Sequence, residues 1–422
     1  MKSKLILNLF FVALLLTSSF ARAQIQLVRE KRVQAFTQKT TGENDIFDRS
    51  INSPKSVLFS ADGQKLYVNS LEGGQTVVYE WPTLRKIKVI DHLFNSKNQS
   101  LFLNNEETIF NYVYYKKNSA RANYFRGKPV EMTLSHNGDF LWITFYRRDY
   151  DTSGQSPSAV AIVDTKTDEI VRVMPTGPIP KYVTISPDGR TAAITHWGDN
   201  TLGLIDISGT SPKDFKYTAH LTVERQLSQE DKEGTDRDST CGFCLRGTVF
   251  SPDSRFLIVA RMGGGGIAAF DLANQKYLGT LLNVKSTPRH LLISPDQKKL
   301  IVSSNVSGYI TTFDLNLFLN DMLSANGKRI NGTAGREVSV GEGARTIEVE
   351  PTGRYVFAAI NDGVKVVAID LETMKVAAQV KVDPFPVGLA ISKDGRYIAV
   401  TSQGHAGEGG GNAVNIIRVD QN

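Results

Sequence analysis

Pro180-Lys-Tyr-Val-Thr-Ile-Ser-Pro-Asp-Gly-Arg-Thr-Ala-Ala-Ile-Thr-His-Trp-Gly-Asp-Asn-Thr-Leu-Gly-Leu-Ile-Asp206 contains the unit that decides the fold. It reads as an apolar strand, a tight turn, a second apolar strand, a polar loop and a third strand ending in an acid. Pro presets φ, Asp bonds the turn backbone and Gly takes the left-handed position. The turn recurs as Ser60-Ala-Asp-Gly63, Ser135-His-Asn-Gly138, Ser251-Pro-Asp-Ser254, Ser294-Pro-Asp-Gln297, Glu350-Pro-Thr-Gly353 and Ser392-Lys-Asp-Gly395, seven in all. In five units the third turn residue is followed 18 positions later by an acid: Glu80, Asp206, Asp271, Asp314 and Asp370. The intervals from Asn137 to Asp164 and from Asp394 to Asp420 stretch to 27 and 26, which marks inserted loop.

Short strands rich in Val, Ile, Phe and Tyr, without helical periodicity between them, point to antiparallel blades rather than βαβ units. Blades close around an axis. The expected fold is an all-β, seven-bladed β-propeller. The last unit has only three strands, and Gln26 to Phe36 is expected to complete it and lock the ring. Segment 91–128 lacks the turn signature and reads as an insertion rather than an eighth blade. The expected organisation is a signal peptide over 1–23 and one propeller domain over 24–422, with inserted loops 91–128, 208–245 and 316–343.

The signal reading rests on Met1-Lys-Ser-Lys, the apolar run Leu5 to Leu16 and Ala21-Arg-Ala23, with cleavage before Gln24. That run is too short to span a bilayer, so a periplasmic or secreted location is expected. Loss of Lys2, Lys4 and Arg22 takes the formal net charge from +6 to +3, too mild to imply nucleic acid.

The units resemble the YVTN-type β-propeller repeats of exported bacterial proteins. Leu66-Tyr-Val-Asn-Ser70, Ala193-Ile-Thr-His196 and Ala399-Val-Thr-Ser402 stand where that family carries its namesake strand. Thr195 to Thr201 and Cys241 to Val249 look like a Bacteroidetes-type subgroup. The resemblance covers nearly the whole mature chain and implies the fold, not an activity. Lactonase-like and amine-dehydrogenase-like propellers share the architecture, but their catalytic motifs find no residue-by-residue match, and fold alone does not imply activity.

The loops entering innermost strands and those after second strands open on one face of a propeller. The three long insertions, with 147–157 and 404–411, are expected there, and such loops carry function. Seven positions before the third turn residue stand Lys55, Val130, Lys181, Arg246, Arg289, Arg345 and Val387. Five cations at one repeat position repel unless an anion joins them. The alternative is internal pairing with Glu131, Glu348 or Asp199.

Further candidates on the same rim are Arg261, His290 and His405. His196, Trp197 and Asp199 offer a base, a stacking ring and an acid within four residues. Against this stands a plain turn with Trp197 buried between blades and Asp199 bonding the turn backbone. The histidines lack metal-ligand spacing, and the glycine runs 263–266 and 407–411 lack phosphate-loop spacing. Cys241 and Cys244 are expected to form a local disulfide rather than a redox or metal site.

These residues suggest two functions. One is a binding or scaffold protein that takes an anionic small molecule, glycan or partner protein at the basic mouth, needing no cofactor. The other is a lactonase-type hydrolase with His196 as base, Asp199 orienting it and Arg246 or Arg289 stabilising an oxyanion.

Overall fold

The computed structural model describes residues 25–39, 42–103, 121, 123–227, 235–404 and 411–421. The signal segment 1–23, most of the insertion core from 104 to 122, His405 and most of the 407–411 glycine run lie outside the described residues.

The repeated turn works as its composition dictates. Ser186 Oγ donates to Asp188 Oδ1 at 2.5 Å and accepts the Thr191 amide at 2.9 Å, while Asp188 accepts the Arg190 amide at 3.1 Å. Gly189 sits at φ 70°, where an L side chain is strained. The same bonds recur at Ser60 with Asp62, Ser294 with Asp296 and Ser392 with Asp394. Glu350 and Thr352 reproduce them with the donor exchanged. Acids closing third strands accept from the residues that follow, as Asp206 does from the Ser208 amide at 3.0 Å and Asp370 from the Glu372 amide at 3.0 Å.

The repeats build seven sheets whose repeat strands run antiparallel. Their innermost strands are Pro54–Phe59, Phe125–Ser135, Pro180–Ile185, Leu245–Phe250, Pro288–Ile293, Ala344–Val349 and Pro386–Ile391, each touching the next and the last touching the first. These blades are numbered one to seven. Segment 91–128 adds no blade among the described residues. Leu93–Phe94 pairs with the start of blade two, and a short 3-10 turn, Ser96–Leu101, packs Phe94 against Phe102 and Phe125.

The N-terminal strand closes the ring. Ile25–Gln34 lies antiparallel to Ala413–Gln421, from Ile25 opposite Gln421 to Gln34 opposite Ala413, with a bulge between Arg29 and Lys31. The bulge reverses which side chains face which neighbour. Ile25 and Leu27 pack with Phe357, Leu389 and Ile398, whereas Val33 packs with Ile51, Val57 and Leu66. One strand therefore seals both flanks of blade seven.

Insertion 316–343 departs from expectation. The helix Leu315–Ala325 follows the third strand of blade five, and the fourth strand, Arg336–Ser339, comes only afterwards. A third-to-fourth connection leaves on the face opposite the loops after second strands, so this insertion does not crown the mouth. Leu315, Phe318, Met322 and Ala325 form a buried stripe at helical spacing, and Lys328–Ile330 extends blade four in parallel to Lys276–Leu281. In 208–245 the first part is likewise an ordinary fourth strand, Lys216–Thr222, and only the residues after that strand reach the mouth.

A chain beginning after Phe36 loses three buried apolar side chains, Ile25, Leu27 and Val33, worth about 1.5 to 3 kcal/mol each. Its melting temperature should fall by roughly 10 °C or more; an unchanged thermal scan contradicts the closure. Cys241 and Cys244 are bonded to each other. Intact-mass measurement without reductant should find no free thiol, and a count of two contradicts the bond.

Candidate functional site

The strand that begins each blade irregularly places its second residue at the channel mouth, where five cations meet. Lys55 sits well below the ordinary lysine range, first because of burial and then because Arg345, Arg246, Arg289 and Lys181 repel its proton. Burial, opposed by Asp238, and repulsion from Arg246 and Arg289 bring Lys181 down to about 7. Arg345 is pushed down to about 9 by burial and Arg246, and Arg289 is lowered by burial, Arg345 and Arg246. Guanidinium groups in this state stay charged at neutral pH.

Internal pairing removes only part of this charge. Arg246 Nη2 donates to Glu131 Oε1 at 2.8 Å, reaching past blade three to blade two. Lys181 Nζ donates to Asp238 Oδ1 at 3.0 Å, and its ammonium lies 4.1 Å from the Tyr146 ring centre and 5.0 Å from that of Trp197. No carboxylate among the described residues forms an ion pair with Lys55, Arg289 or Arg345. Arg289 donates to Met262 Sδ at 3.4 Å, and Arg345 donates to Asn361 Oδ1 at 3.1 Å and lies over Phe385, while its Nε is buried without a hydrogen bond. Glu348 is mostly protonated at neutral pH, because burial pushes it up to about 8.

A second ring lies one residue further in: Ser56, Glu131, Tyr182, Gly247, His290, Thr346 and Gly388. His290 Nδ1 accepts the Ile347 amide at 3.1 Å, so its Nε2 carries the proton and donates to Tyr182 Oη at 2.7 Å. Burial, with Arg246 and Arg289, lowers His290 to about 3 and keeps it neutral. The bond links blades three and five past blade four, whose residue here is Gly247. A Cβ at Gly247 would stand 2.6 Å from the Arg289 carbonyl oxygen. Tyr182 escaped sequence reading, although the repeat position beside the cations pointed to it. Asp238 and Tyr146 gave no such signal, since one comes from an irregular loop and the other from the end of a second strand.

His196 and Asp199 require correction as a channel base and its partner. His196 is fully buried, with Nε2 accepting the Gly177 amide at 3.0 Å and lying 2.7 Å from Thr176 Oγ1, while Nδ1 bonds Thr201 Oγ1 at 2.8 Å. Thr201 in turn donates to Asp199 Oδ1 at 2.6 Å. Burial holds the imidazole well below its usual range, so it fastens a turn as a neutral ring. Asp199 is buried with it and accepts from that turn.

Arg261 is also not at the channel. It is buried, donates to Glu224 Oε1 at 2.6 Å and lies 3.8 Å from the Phe243 ring centre. Phe243 sits inside the disulfide loop, where its amide donates to Asn200 Oδ1 at 2.7 Å. The disulfide thus holds an aromatic plug between blades three and four, three residues before Arg246. Trp197 is half-buried rather than sunk between blades, with Nε1 donating to the Asp238 carbonyl at 3.0 Å.

A family model described as Lactonase, 7-bladed beta-propeller matches residues 126–421. No curated protein matches the chain. Among solved structures, the hydrazine synthase of Kuenenia stuttgartiensis aligns with a TM-score of 0.59 at 14% identity, covering 91% of this chain and 99% of that one. At that identity the likeness concerns the fold. The family match spans more than half of the sequence, through blades two to seven, and the chain belongs to the lactonase family of seven-bladed β-propellers.

Proposed function

We propose that the channel mouth binds a small anion carrying a carboxylate or phosphate. The observation that carries this reading is the surplus of cations at one repeat position: among the described residues Lys55, Arg289 and Arg345 converge without a direct ion pair to a carboxylate, and Glu131 and Asp362 act on the two arginines only from a distance. Such a cluster is destabilised by its own repulsion, and an anion relieves it. Guanidinium forks favour planar, two-oxygen ligands. Trp197 and Tyr146 add ring faces suited to a sugar-like body.

Family membership favours a second reading, hydrolysis of a lactone, whose ring-opened product is itself a carboxylate. It ranks behind binding because neither His196 nor His290 offers a free basic nitrogen: the first is enclosed in its turn and the second accepts from Ile347.

Thermal-shift screening with sugar acids, phosphorylated sugars and sugar lactones should find a stabilising anion. Arg289→Glu should weaken it roughly ten- to hundredfold, since a bond to a charged group is worth about 1.5 to 3 kcal/mol. His196→Gln should lower the melting temperature and leave that affinity unchanged. Equal affinity in Arg289→Glu contradicts the site, and lactone turnover lost in His196→Gln promotes the hydrolase.

Binding should also take up protons. Lys181 at about 7 is largely neutral at pH 8, and a bound anion favours its charged form. Affinity should therefore fall as pH rises from about 7 to 9. Calorimetry at pH 8 in buffers of different ionisation enthalpy should give different heats, and identical heats contradict this.

A further inference from the structure

The two lysines of the cluster are not equivalent. Lys181 is held by Asp238 and by two ring faces. Among the described residues, no acceptor hydrogen-bonds the Lys55 ammonium, and the charges that act on it most strongly are those of Arg345, Arg246, Arg289 and Lys181. The backbone beneath it is fixed: the Lys55 carbonyl accepts from Thr401 Oγ1 at 3.0 Å, and Gly388 packs so closely that a Cβ there would stand 2.4 Å from that oxygen. Lys55 as a whole residue keeps partial exposure.

An amine surrounded by cations and lacking a counterion sheds its proton at a lower pH than a surface lysine. The free amine is a nucleophile toward carbonyl carbon. The neighbouring guanidiniums meanwhile attract a carboxylate. A molecule that carries both groups satisfies both features.

We propose that Lys55 forms an imine with a small oxo-carboxylate held by the cation cluster. This rests on the anion-binding reading above and assigns that site a chemistry. The Nζ lone pair adds to the carbonyl carbon, and the carbonyl π pair takes a proton to give a carbinolamine. The nitrogen then releases its proton and expels the hydroxyl, which leaves as water after protonation. Amine plus carbonyl gives imine plus water, with no change in oxidation state, and hydrolysis reverses it.

The test uses the full chain with pyruvate and sodium cyanoborohydride at pH 7, followed by intact-mass measurement and peptide mapping. The borohydride delivers hydride to the imine carbon and fixes the adduct as a secondary amine. One adduct per chain is expected on Lys55, exceeding any exposed lysine by about tenfold or more, because an amine that sheds its proton below the ordinary lysine range holds a larger free-base fraction at pH 7, while Lys181 is tied to Asp238. Lys55→Arg should abolish it, Lys375→Arg on an exposed outer strand should retain it, acetone should label Lys55 far less, and lactate should protect. If Lys55→Arg does not fold, the wild-type map still decides. Adducts spread over surface lysines, or acetone labelling Lys55 as readily as pyruvate, overturn the proposal. Stabilisation by lactate with no pyruvate adduct overturns the imine and leaves the anion site standing; no effect of lactate and no adduct overturns both.

Discussion

In a closed ring of repeats, equal positions cannot avoid one another. A Lys or Arg at the second residue of five innermost strands faces the same channel mouth as the other four: Lys55 feels the charge of all four, Lys181 that of Arg246 and Arg289, Arg289 that of Arg345 and Arg246, and Arg345 that of Arg246. Two of the five charges are met by Glu131 and Asp238. Among the described residues the remaining surplus makes the mouth electropositive in a way that the modest overall charge does not suggest. Repulsion of this kind is stable only because the blades around it are held independently.

That independence comes from two devices far from the charges. The Ser-Asp turn at the opposite end of five innermost strands, replaced by Glu350 with Thr352 in blade six, ties the first and second strands together. The N-terminal strand, packed on both flanks of blade seven, prevents the ring from opening where Lys55 and Val387 adjoin. At the mouth itself, Tyr182 and His290 span the space left by Gly247, and the disulfide loop seats Phe243 against Arg261. The cations thus sit on a fixed frame, which lowers the cost of ordering a ligand.

Blade number, strand order, closure and the convergence of the basic ring were legible because a repeat converts spacing into position. The places that resisted reading are those where local sequence leaves the repeat. The stripe of Leu315, Phe318, Met322 and Ala325 has helical spacing but hides in an insertion expected to be loop. His196 looks like a base beside an acid, yet its depth at the end of a second strand, with hydroxyl and amide partners on its ring nitrogens, turns it into a structural ring. Arg261 and Arg246 are equally basic in sequence; only the fold sends one to Glu224 and the other to the channel. Tyr182 was readable in principle, one step from Lys181 at the same repeat position.

The most direct measurement is anomalous diffraction from a crystal soaked in bromide or selenate. A peak enclosed by Lys55, Arg289 and Arg345 at the channel mouth is the expected result. A mouth without a peak, with the Arg289 and Arg345 guanidiniums turned onto carboxylates of the chain, contradicts the uncompensated cation cluster on which the proposed function rests.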